Sequence, residues 1–252
     1  MPTTLPPGWN LLVTPDQATG STQAAGHIAA ALIEKPDLIL CTATGNSTAA
    51  AYQHFAHTHK NAPPRSLRIL KLDEWGGLPP DDPATCESHL QNSLVRPLGV
   101  SPDRFISFRS DAPDPTLECT LITTWLRENG AVDLAVLGLG MNGHLGFNEP
   151  AREFTPGCHV ATLSDTTLNH PMLAPGTPAP AHGLTLGTGD ILASRSILLL
   201  VFGHAKAPLL QRLLTGPVSP KFPASILTQH PDVTCICDTA ASSLLTLPDS
   251  SP

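Results

Sequence analysis

Short apolar runs alternate along the chain with longer segments in which apolar residues recur every three or four positions. The first pattern is typical of buried strands and the second of amphipathic helices, so their alternation predicts βαβ units. Strands are expected at residues 37–41, 67–72, 132–137, 196–202 and 233–237. Helices are expected at 24–33, 48–59, 83–95, 115–129 and 205–214. The predicted fold is α/β: an open, doubly wound (Rossmann-like), mainly parallel sheet with helices on both faces.

The pattern contains no internal repeat and no linker, so residues 1–252 are expected to form a single domain. The first ten residues and the tail from Pro248 are expected to be frayed. A Pro-rich stretch from His170 to Pro180 is long and irregular for an ordinary connection. We therefore expect a mobile lid at about 160–182, with a plain surface excursion as the alternative.

Charge and cysteine content narrow the class of protein. A net charge of −7 argues against a nucleic-acid partner and against an anionic membrane surface. The longest apolar run, at 197–202, is far shorter than the roughly 20 residues of a membrane-spanning helix, and the N-terminus lacks a secretory signal pattern. Six scattered cysteines are typical of reduced thiols in a cytoplasmic protein. Cys235 and Cys237 should point to the same face of one strand, where a metal site is not expected.

Ligands of doubly wound sheets bind outside the carboxyl ends of the strands, and three unusual loops begin there. They cover residues 42–47, 73–83 and 138–150. In the first, backbone N–H groups, a hydroxyl cap and a helix N-terminus could cradle a phosphate. The residues of this candidate cradle are Thr44, Gly45, Asn46 and Ser47. A capped helix after a tight turn is the simpler interpretation of this loop when it is taken alone.

The second loop opens with two adjacent carboxylates, Asp73 and Glu74. Successive side chains at a strand end point to opposite sides, so only one of them easily faces a shared ligand. We select Asp73, because a carboxylate in a closed cleft can remove a proton from carbon in an aldose–ketose isomerisation. The alternative is a solvated acidic turn.

The third loop concentrates an acid, a base and amide groups among glycines that permit close backbone approach. These polar residues are Asn142, His144, Asn148 and Glu149. A histidine held by a carboxylate can move a proton to a ring oxygen and open a hexose ring, although a structural histidine is the commoner case. The glycines do not fit a dinucleotide fingerprint, and no cofactor is expected. Later, Lys206 follows another strand and could hold a phosphate, although solvated lysines are commoner.

Together these segments resemble, in the same order, the glucosamine-6-phosphate deaminase/isomerase family. The motifs are TATGNS (42–47), KLDEWGGLP (71–79), LGLGMNGHLGFNEP (137–150), GLTLGTGDIL (183–192) and FGHAKA (202–207). The likeness covers roughly residues 28–238, and the GHLGFNEP stretch is highly specific. The segments TCESHLQNSLVRPLG (85–99) and FISFRS (105–110), together with KLDEW, are most similar to galactosamine-6-phosphate deaminases.

The resemblance implies a role for each matching residue. Asp73 matches the base that moves a proton from C2 to C1 through a cis-enolamine before ammonia leaves. His144 matches the ring-opening residue, with Glu149 and Asn142 as its partners. Some members carry aspartate at position 142, so the asparagine here argues against a charge relay through it. Thr44 to Ser47 and Lys206 match the phosphate contacts. The implied enzyme uses acid–base chemistry without a metal or cofactor.

The chain also departs from the family pattern. An arginine that binds phosphate in the glucosamine enzymes has no counterpart near 170–173, where His170 is one substitute. Basic residues that bind an allosteric N-acetyl sugar phosphate in some members are missing from CHVATL (158–163), so no such activation is expected.

Two other functions remain open at this point. 6-Phosphogluconolactonases are similar in fold, but their loop continues toward SLFP instead of FNEP. A sugar-phosphate sensor would not need Asp73, His144 and Glu149 together, and no helix-turn-helix segment precedes the domain. The expected partner is a small amino-sugar phosphate. The sequence leaves open its C4 configuration, galactosamine or glucosamine, and the oligomeric state, with a homo-oligomer among the alternatives.

Overall fold

The computed structural model describes residues 3–173 and 178–246. Its main sheet has seven strands in the order β1-β10-β9-β6-β2-β3-β5, and every neighbouring pair is parallel. The predicted fold class is confirmed. These strands are β1 (Trp9–Thr14), β2 (Ile39–Thr42), β3 (Arg68–Lys71), β5 (Phe105–Ile106), β6 (Leu134–Gly138), β9 (Ser196–Val201) and β10 (Val233–Asp238).

Helices cover both faces of this sheet because the central strands are apolar on both sides. The α-helices are α1 (Gln17–Glu34), α2 (Asn46–His59), α3 (Cys86–Leu90), α4 (Arg96–Leu98), α5 (Pro115–Asn129), α6 (Asp165–Leu168), α7 (Thr188–Leu192) and α8 (Ala207–Thr215). In β9, Leu198 and Leu200 pack with α1 and α2, whereas Leu199 packs with α5 and α8 in a second core. Side-chain alternation along each strand thus divides one sheet between two cores.

The strand order reverses between β2 and β6. After β2, the next strands, β3 and β5, are added toward one edge of the sheet. After β6, strands β9 and β10 are added toward the opposite edge. Ligands bind at such a reversal in open α/β sheets, because the loops that follow the two strands diverge and leave a crevice.

A second, smaller sheet begins directly after the carboxyl end of β3. It consists of β4 (Asp73–Gly76), β8 (His182–Thr185) and β7 (His159–Ala161), paired antiparallel in that order. The expectation that residue 73 begins a loop was therefore wrong. Asp73 opens β4, opposite Thr185, because the chain leaves β3 and immediately pairs with β8. This pairing holds the carboxylate more rigidly than a loop would.

The N-terminus also differs from the prediction. Residues 3–10 are not frayed: Trp9 is buried and donates its Nε1–H to the carbonyl of Leu227, and β1 pairs with β10. Alternation in this short strand is weak, and its partner lies more than 200 residues away in sequence, so the local pattern did not reveal it. The expected fraying after Pro248 falls outside the described residues.

Two helix boundaries were misplaced. Helix α1 begins at Gln17 instead of residue 24, because the Asp16 carboxylate caps it by accepting a hydrogen bond from Thr19 N at 2.8 Å. The helix predicted at 83–95 begins at Cys86, capped by Thr85, and continues as a π-helical turn over Gln91–Val95.

All six cysteines lie among the described residues and are free thiols. Cys235 and Cys237 contribute to the same core, as strand alternation predicted. In the described ranges no cluster of three His, Cys, Asp or Glu side chains could hold a metal ion, and no helix is long and apolar enough to span a membrane. The expected lid at 160–182 contains α6 and the end of β7, and its residues 174–177 lie outside the described part.

Candidate active site

A cavity of about 280 Å³ lies at the reversal point, outside the carboxyl ends of β2, β6 and β9. The family resemblance gave a role to nine residues. Seven of them line the cavity, and these seven come from four separate segments of the chain. These residues are Thr44, Gly45, Asn46, Ser47, Asp73, His144 and Lys206. The other two, Asn142 and Glu149, contact the loop of His144 outside the cavity lining. The predicted residues therefore form one connected site.

The candidate phosphate cradle is the turn from β2 into α2. Gly45 has a φ of +126°, a conformation that favours glycine, and it precedes the first residue of α2. The predicted hydroxyl cap is not formed: the Thr48 hydroxyl donates instead to the carbonyl of Ala43 at 3.0 Å, as does that of Tyr52. The first-turn N–H groups of α2 therefore have no side-chain cap within the described chain. Asn46 and Ser47 of this first turn line the cavity, and N–H groups at a helix N-terminus are able to bind an anion.

Asp73 is the buried acid of the cavity. It is 6% exposed, and its Oδ1 has no hydrogen-bond partner among the described residues. Burial and the neighbouring charge of Glu74 raise the pKa of Asp73 to about 7, against the opposing effects of Lys71 and the Cys86 thiol. The carboxyl group thus exchanges its proton near neutral pH, as a general base in a closed cleft requires.

A buried ion network lies directly behind Asp73, and sequence analysis missed it. Lys71 Nζ donates to Glu74 Oε2 at 2.6 Å, to Glu87 Oε2 at 3.0 Å and to the Phe108 carbonyl at 2.8 Å. The side chains of Lys71 and Glu74 are both completely buried. Glu74 also accepts hydrogen bonds from the backbone N–H groups of Trp75, Cys86 and Glu87. Lys71, between Leu70 and Leu72 in a predicted buried strand, was the available signal.

In the loop after β6, the imidazole of His144 packs against the backbone of Gly140. A Cβ added at Gly140 would lie 2.1 Å from His144 Cδ2, so only glycine leaves room for the imidazole. His144 N donates to Asn142 Oδ1 at 3.0 Å, and Gly143, with a φ of +87°, completes the turn. Asn148 is structural, since its amide donates to the carbonyls of Leu145 and Leu186.

Glu149 lies on the far side of the imidazole from the cavity. Its Oε2 accepts a hydrogen bond from Asn142 Nδ2 at 2.8 Å and is 3.8 Å from His144 Nδ1. Burial would raise the pKa of Glu149, but the adjacent His144 and hydrogen bonds from Thr167 and Asn142 together lower it to about 2. Glu149 is therefore a carboxylate throughout the neutral range.

Lys206 and His170 also line the cavity. Lys206 Nζ donates to the Leu139 carbonyl, and burial lowers its pKa to about 8. Burial and the charges of His144, Lys206 and His89 lower the pKa of His170 to about 4, so this imidazole is neutral. Met172 N donates to His170 Nδ1 at 3.2 Å, which leaves Nε2–H as a donor. From the sequence, His170 was identified only as a substitute for a missing arginine.

Comparisons with known proteins agree with this geometry. Residues 17–236 match the family described as glucosamine-6-phosphate isomerases/6-phosphogluconolactonase. The chain is 40% identical over 221 residues to "Putative deaminase AgaI" of Escherichia coli (strain K12), covering 87% of this chain and 88% of that protein. A solved monomeric glucosamine-6-phosphate deaminase of the NagB superfamily superposes with a TM-score of 0.87 at 34% identity, covering 93% and 99% of the two chains.

A 6-phosphogluconolactonase from Trypanosoma cruzi shares the fold, with a TM-score of 0.78 over 98% of both chains, but only 19% of the sequence. The chain belongs to the glucosamine-6-phosphate isomerase/6-phosphogluconolactonase family, and within it to the amino-sugar-6-phosphate deaminases. The resemblance inferred from the motifs is confirmed, as is the prediction that the chain is a deaminase/isomerase-type enzyme.

Proposed function

We propose that the protein converts galactosamine-6-phosphate and water into tagatose-6-phosphate and ammonia, as one domain over residues 1–252. The observation that carries this proposal is the shared cavity. It contains an acid whose pKa lies near 7, an imidazole backed by a carboxylate, and an anion cradle with a lysine. A hexose phosphate needs these three functions at C2, at the ring oxygen and at the phosphate.

The reaction begins with ring opening. His144 takes the proton of the anomeric hydroxyl and delivers it to the ring oxygen, which gives the open-chain aldehyde. Glu149 and Asn142 hold the loop and stabilise the transient imidazolium. Asp73 then removes the C2 proton, so that an enolamine forms, and returns a proton to C1. The resulting C2 iminium adds water and releases ammonia, which leaves the ketose phosphate.

The phosphate end of the substrate has a separate set of contacts in this proposal. Thr44, Gly45, Asn46 and Ser47 supply the cradle, and Lys206 supplies a positive charge that a dianion would strengthen. His170 Nε2–H is a neutral donor at the same cavity. We include the described residues of the predicted 160–182 segment as a lid, because Thr167, His170 and Met172 line the cavity.

The second candidate substrate is glucosamine-6-phosphate, which would give fructose-6-phosphate. The solved relative at 34% identity is a glucosamine-6-phosphate deaminase, which favours this alternative. The galactosamine assignment rests on the likeness of the segments 71–75, 85–99 and 105–110 to galactosamine enzymes. A lactonase is less well supported, because a lactone has no C2 proton that must be removed and would not need a buried base at Asp73.

The test of the proposed function is a parallel assay of both amino-sugar phosphates and 6-phosphogluconolactone. We expect ammonia and ketose phosphate in equal amounts from both amino sugars, with kcat/KM larger for galactosamine-6-phosphate by about tenfold or more, or about 1.4 kcal/mol. The lactone should be hydrolysed no faster than in buffer. A larger kcat/KM for glucosamine-6-phosphate would reverse the substrate assignment, and no ammonia from either would overturn the function.

The pH dependence of kcat/KM should be bell-shaped, with its maximum between about pH 7 and 8. The base form of Asp73 is gained as pH rises through its pKa of about 7, and the cation of Lys206 is lost as pH rises through its pKa of about 8. Initial ammonia release from pH 5.5 to 9.5 measures both limbs. In Lys206→Arg the cation does not titrate, so the lower limb should stay and the upper limb should move to higher pH. An unmoved upper limb would exclude Lys206 as its source.

A further inference from the structure

The side chains of His144 and Glu149 are neighbours, but they are not directly hydrogen-bonded. Nδ1 and Oε2 are 3.8 Å apart, which is longer than a hydrogen bond. A hydroxyl lies beside this gap: Thr167 Oγ1 is 3.2 Å from His144 Nδ1, and Thr167 is 1% exposed. Thr167 belongs to the short helix α6 and was not selected from the sequence.

We propose that Thr167 is a positioning residue that bridges His144 to Glu149 and holds the imidazole with its proton on Nδ1, leaving Nε2 as the proton acceptor for the sugar. This inference rests on the proposed function, since it concerns the ring-opening step. It identifies a contact supplied by α6 that completes the histidine–carboxylate pair.

The donors and acceptors around Thr167 fix the direction of each hydrogen bond. The Asn142 amide uses its two N–H groups on Glu149 Oε2, at 2.8 Å, and on Ser164 Oγ, at 3.1 Å. Ser164 Oγ in turn donates to Thr167 Oγ1 at 3.3 Å. A threonine oxygen accepts two hydrogen bonds and its hydroxyl donates one. Ser164 takes one acceptor position, which leaves one acceptor position and one donor for His144 and Glu149.

Glu149 can only accept, because it is ionised. In this proposal the Thr167 hydroxyl donates to Glu149, whose lowered pKa reflects a hydrogen bond from Thr167. The Thr167 oxygen then accepts from His144 Nδ1–H. In the opposite tautomer, Nδ1 would have to accept a hydrogen bond from Thr167, and Glu149 would lose that donor. The side chain of Glu149 is only 11% exposed. The carboxylate would then keep only Asn142 Nδ2 and, at 3.4 Å, Ser164 N as donors. The Nδ1–H tautomer adds a hydrogen bond to the charged carboxylate and is therefore favoured.

The tautomer matters for ring opening. His144 must first accept a proton from the anomeric hydroxyl, which requires a lone pair on the nitrogen that is not bonded to Thr167. After proton transfer the imidazolium stays bonded through Thr167 to the Glu149 carboxylate. Because Thr167 and the capping Ser164 lie on α6, the position of this helix controls the orientation of the imidazole.

The first test is ¹⁵N NMR of histidine-labelled protein, with the His144 signals identified by their loss in His144→Gln. Wild type at neutral pH should show a protonated Nδ1 and an unprotonated Nε2. Thr167→Val, which removes the hydroxyl but keeps the shape, should give a mixture of tautomers, and Thr167→Ser should restore the wild-type pattern. An Nε2–H tautomer in wild type would overturn the proposal without any variant, as would an unchanged pattern in Thr167→Val.

Kinetics supply the second test. Thr167→Val should lower kcat by about 10–100-fold with KM within about threefold, because the loss falls on proton transfer and not on phosphate binding. Thr167→Ser should recover most of kcat, and Thr120→Val, at an exposed threonine of α5, should match wild type. Equal losses in the valine and serine variants would indicate a packing role and overturn the proposal. The NMR result needs no turnover, so it separates a failure of this inference from a failure of the proposed function.

Discussion

Asp73→Asn is expected to lower kcat by about 10²–10⁴-fold and, at pH 8, to make the fold more stable than wild type. Asparagine keeps the shape of the side chain but cannot take the C2 proton. Its effect on KM should be small, because the phosphate contacts lie elsewhere in the cavity. Ammonia release measures the loss of kcat.

The gain in stability follows from the raised pKa of Asp73. The folded protein holds this proton up to about pH 7, whereas the unfolded chain releases it near 3.8. The folded state therefore binds more protons between these values, and wild-type stability falls as pH rises through this window. Asparagine removes that loss, so the variant should gain on the order of 1–4 kcal/mol at pH 8 and much less at pH 5.

Urea unfolding at pH 5 and pH 8 tests this second effect, with Asp37→Asn as a control at an exposed aspartate that should change stability by less than about 0.5 kcal/mol. Turnover within tenfold of wild type would contradict the role of Asp73 as the base. An unchanged midpoint at pH 8 would contradict the burial of its charge.

Lys71→Met is expected to destabilise the fold by about 3–5 kcal/mol, because it leaves Glu74 as a buried charge without its cation. Burial opposes the charge of Lys71, but Glu74 and Glu87 raise the pKa of the amine above its usual value, so the lysine stays protonated. The double variant Lys71→Met/Glu74→Gln removes both charges and should recover much of the loss. Lys221→Met changes an exposed lysine and is the control.

The same substitution should also move the pH profile of kcat/KM. Lys71 lowers the pKa of Asp73, so its removal should raise that pKa further and shift the lower limb of the profile to higher pH. Urea midpoints measure the stability effect, and initial rates between pH 6 and 9 measure the shift. Two results would contradict the role of the ion network in setting the pKa of Asp73. One is a Lys71→Met urea midpoint equal to that of wild type, and the other is a lower limb of the pH profile that does not move.

Much of this architecture could be predicted from local sequence. The five strands predicted from the sequence are largely apolar, and the segments that follow them carry Asp73, His144 and Lys206 at carboxyl ends that a parallel sheet brings together. Element boundaries were less accurate where a single polar contact decided them, as with the Asp16 cap of α1. Strand β1 was missed because its pairing with β10 depends on distant residues.

The contacts that adjust the site could not be predicted, because they depend on side chains that meet only after folding. Lys71 reaches Glu87 across a stretch that folds into β4 and its following turn, and Thr167 reaches His144 from a four-residue helix. Lys71 opens the motif KLDEWGGLP, but the motif does not show which groups the amine contacts, and Thr167 belongs to none of the motifs quoted above. Periodicity indicates which face of an element is buried, but not which polar groups satisfy one another inside the core.

The central claim is that the buried Asp73 carboxylate moves a proton from C2 to C1 of the substrate. Its most direct test is an assay with substrate labelled with deuterium at C2. With galactosamine-6-phosphate, wild type should release ammonia with a primary isotope effect, and part of the label should appear at C1 of the ketose phosphate. Asp73→Asn should lose this transfer while the Asp37→Asn protein keeps it. Ammonia release at the same rate from labelled and unlabelled substrate, with the label absent from C1 and with undiminished turnover in Asp73→Asn, would contradict the account.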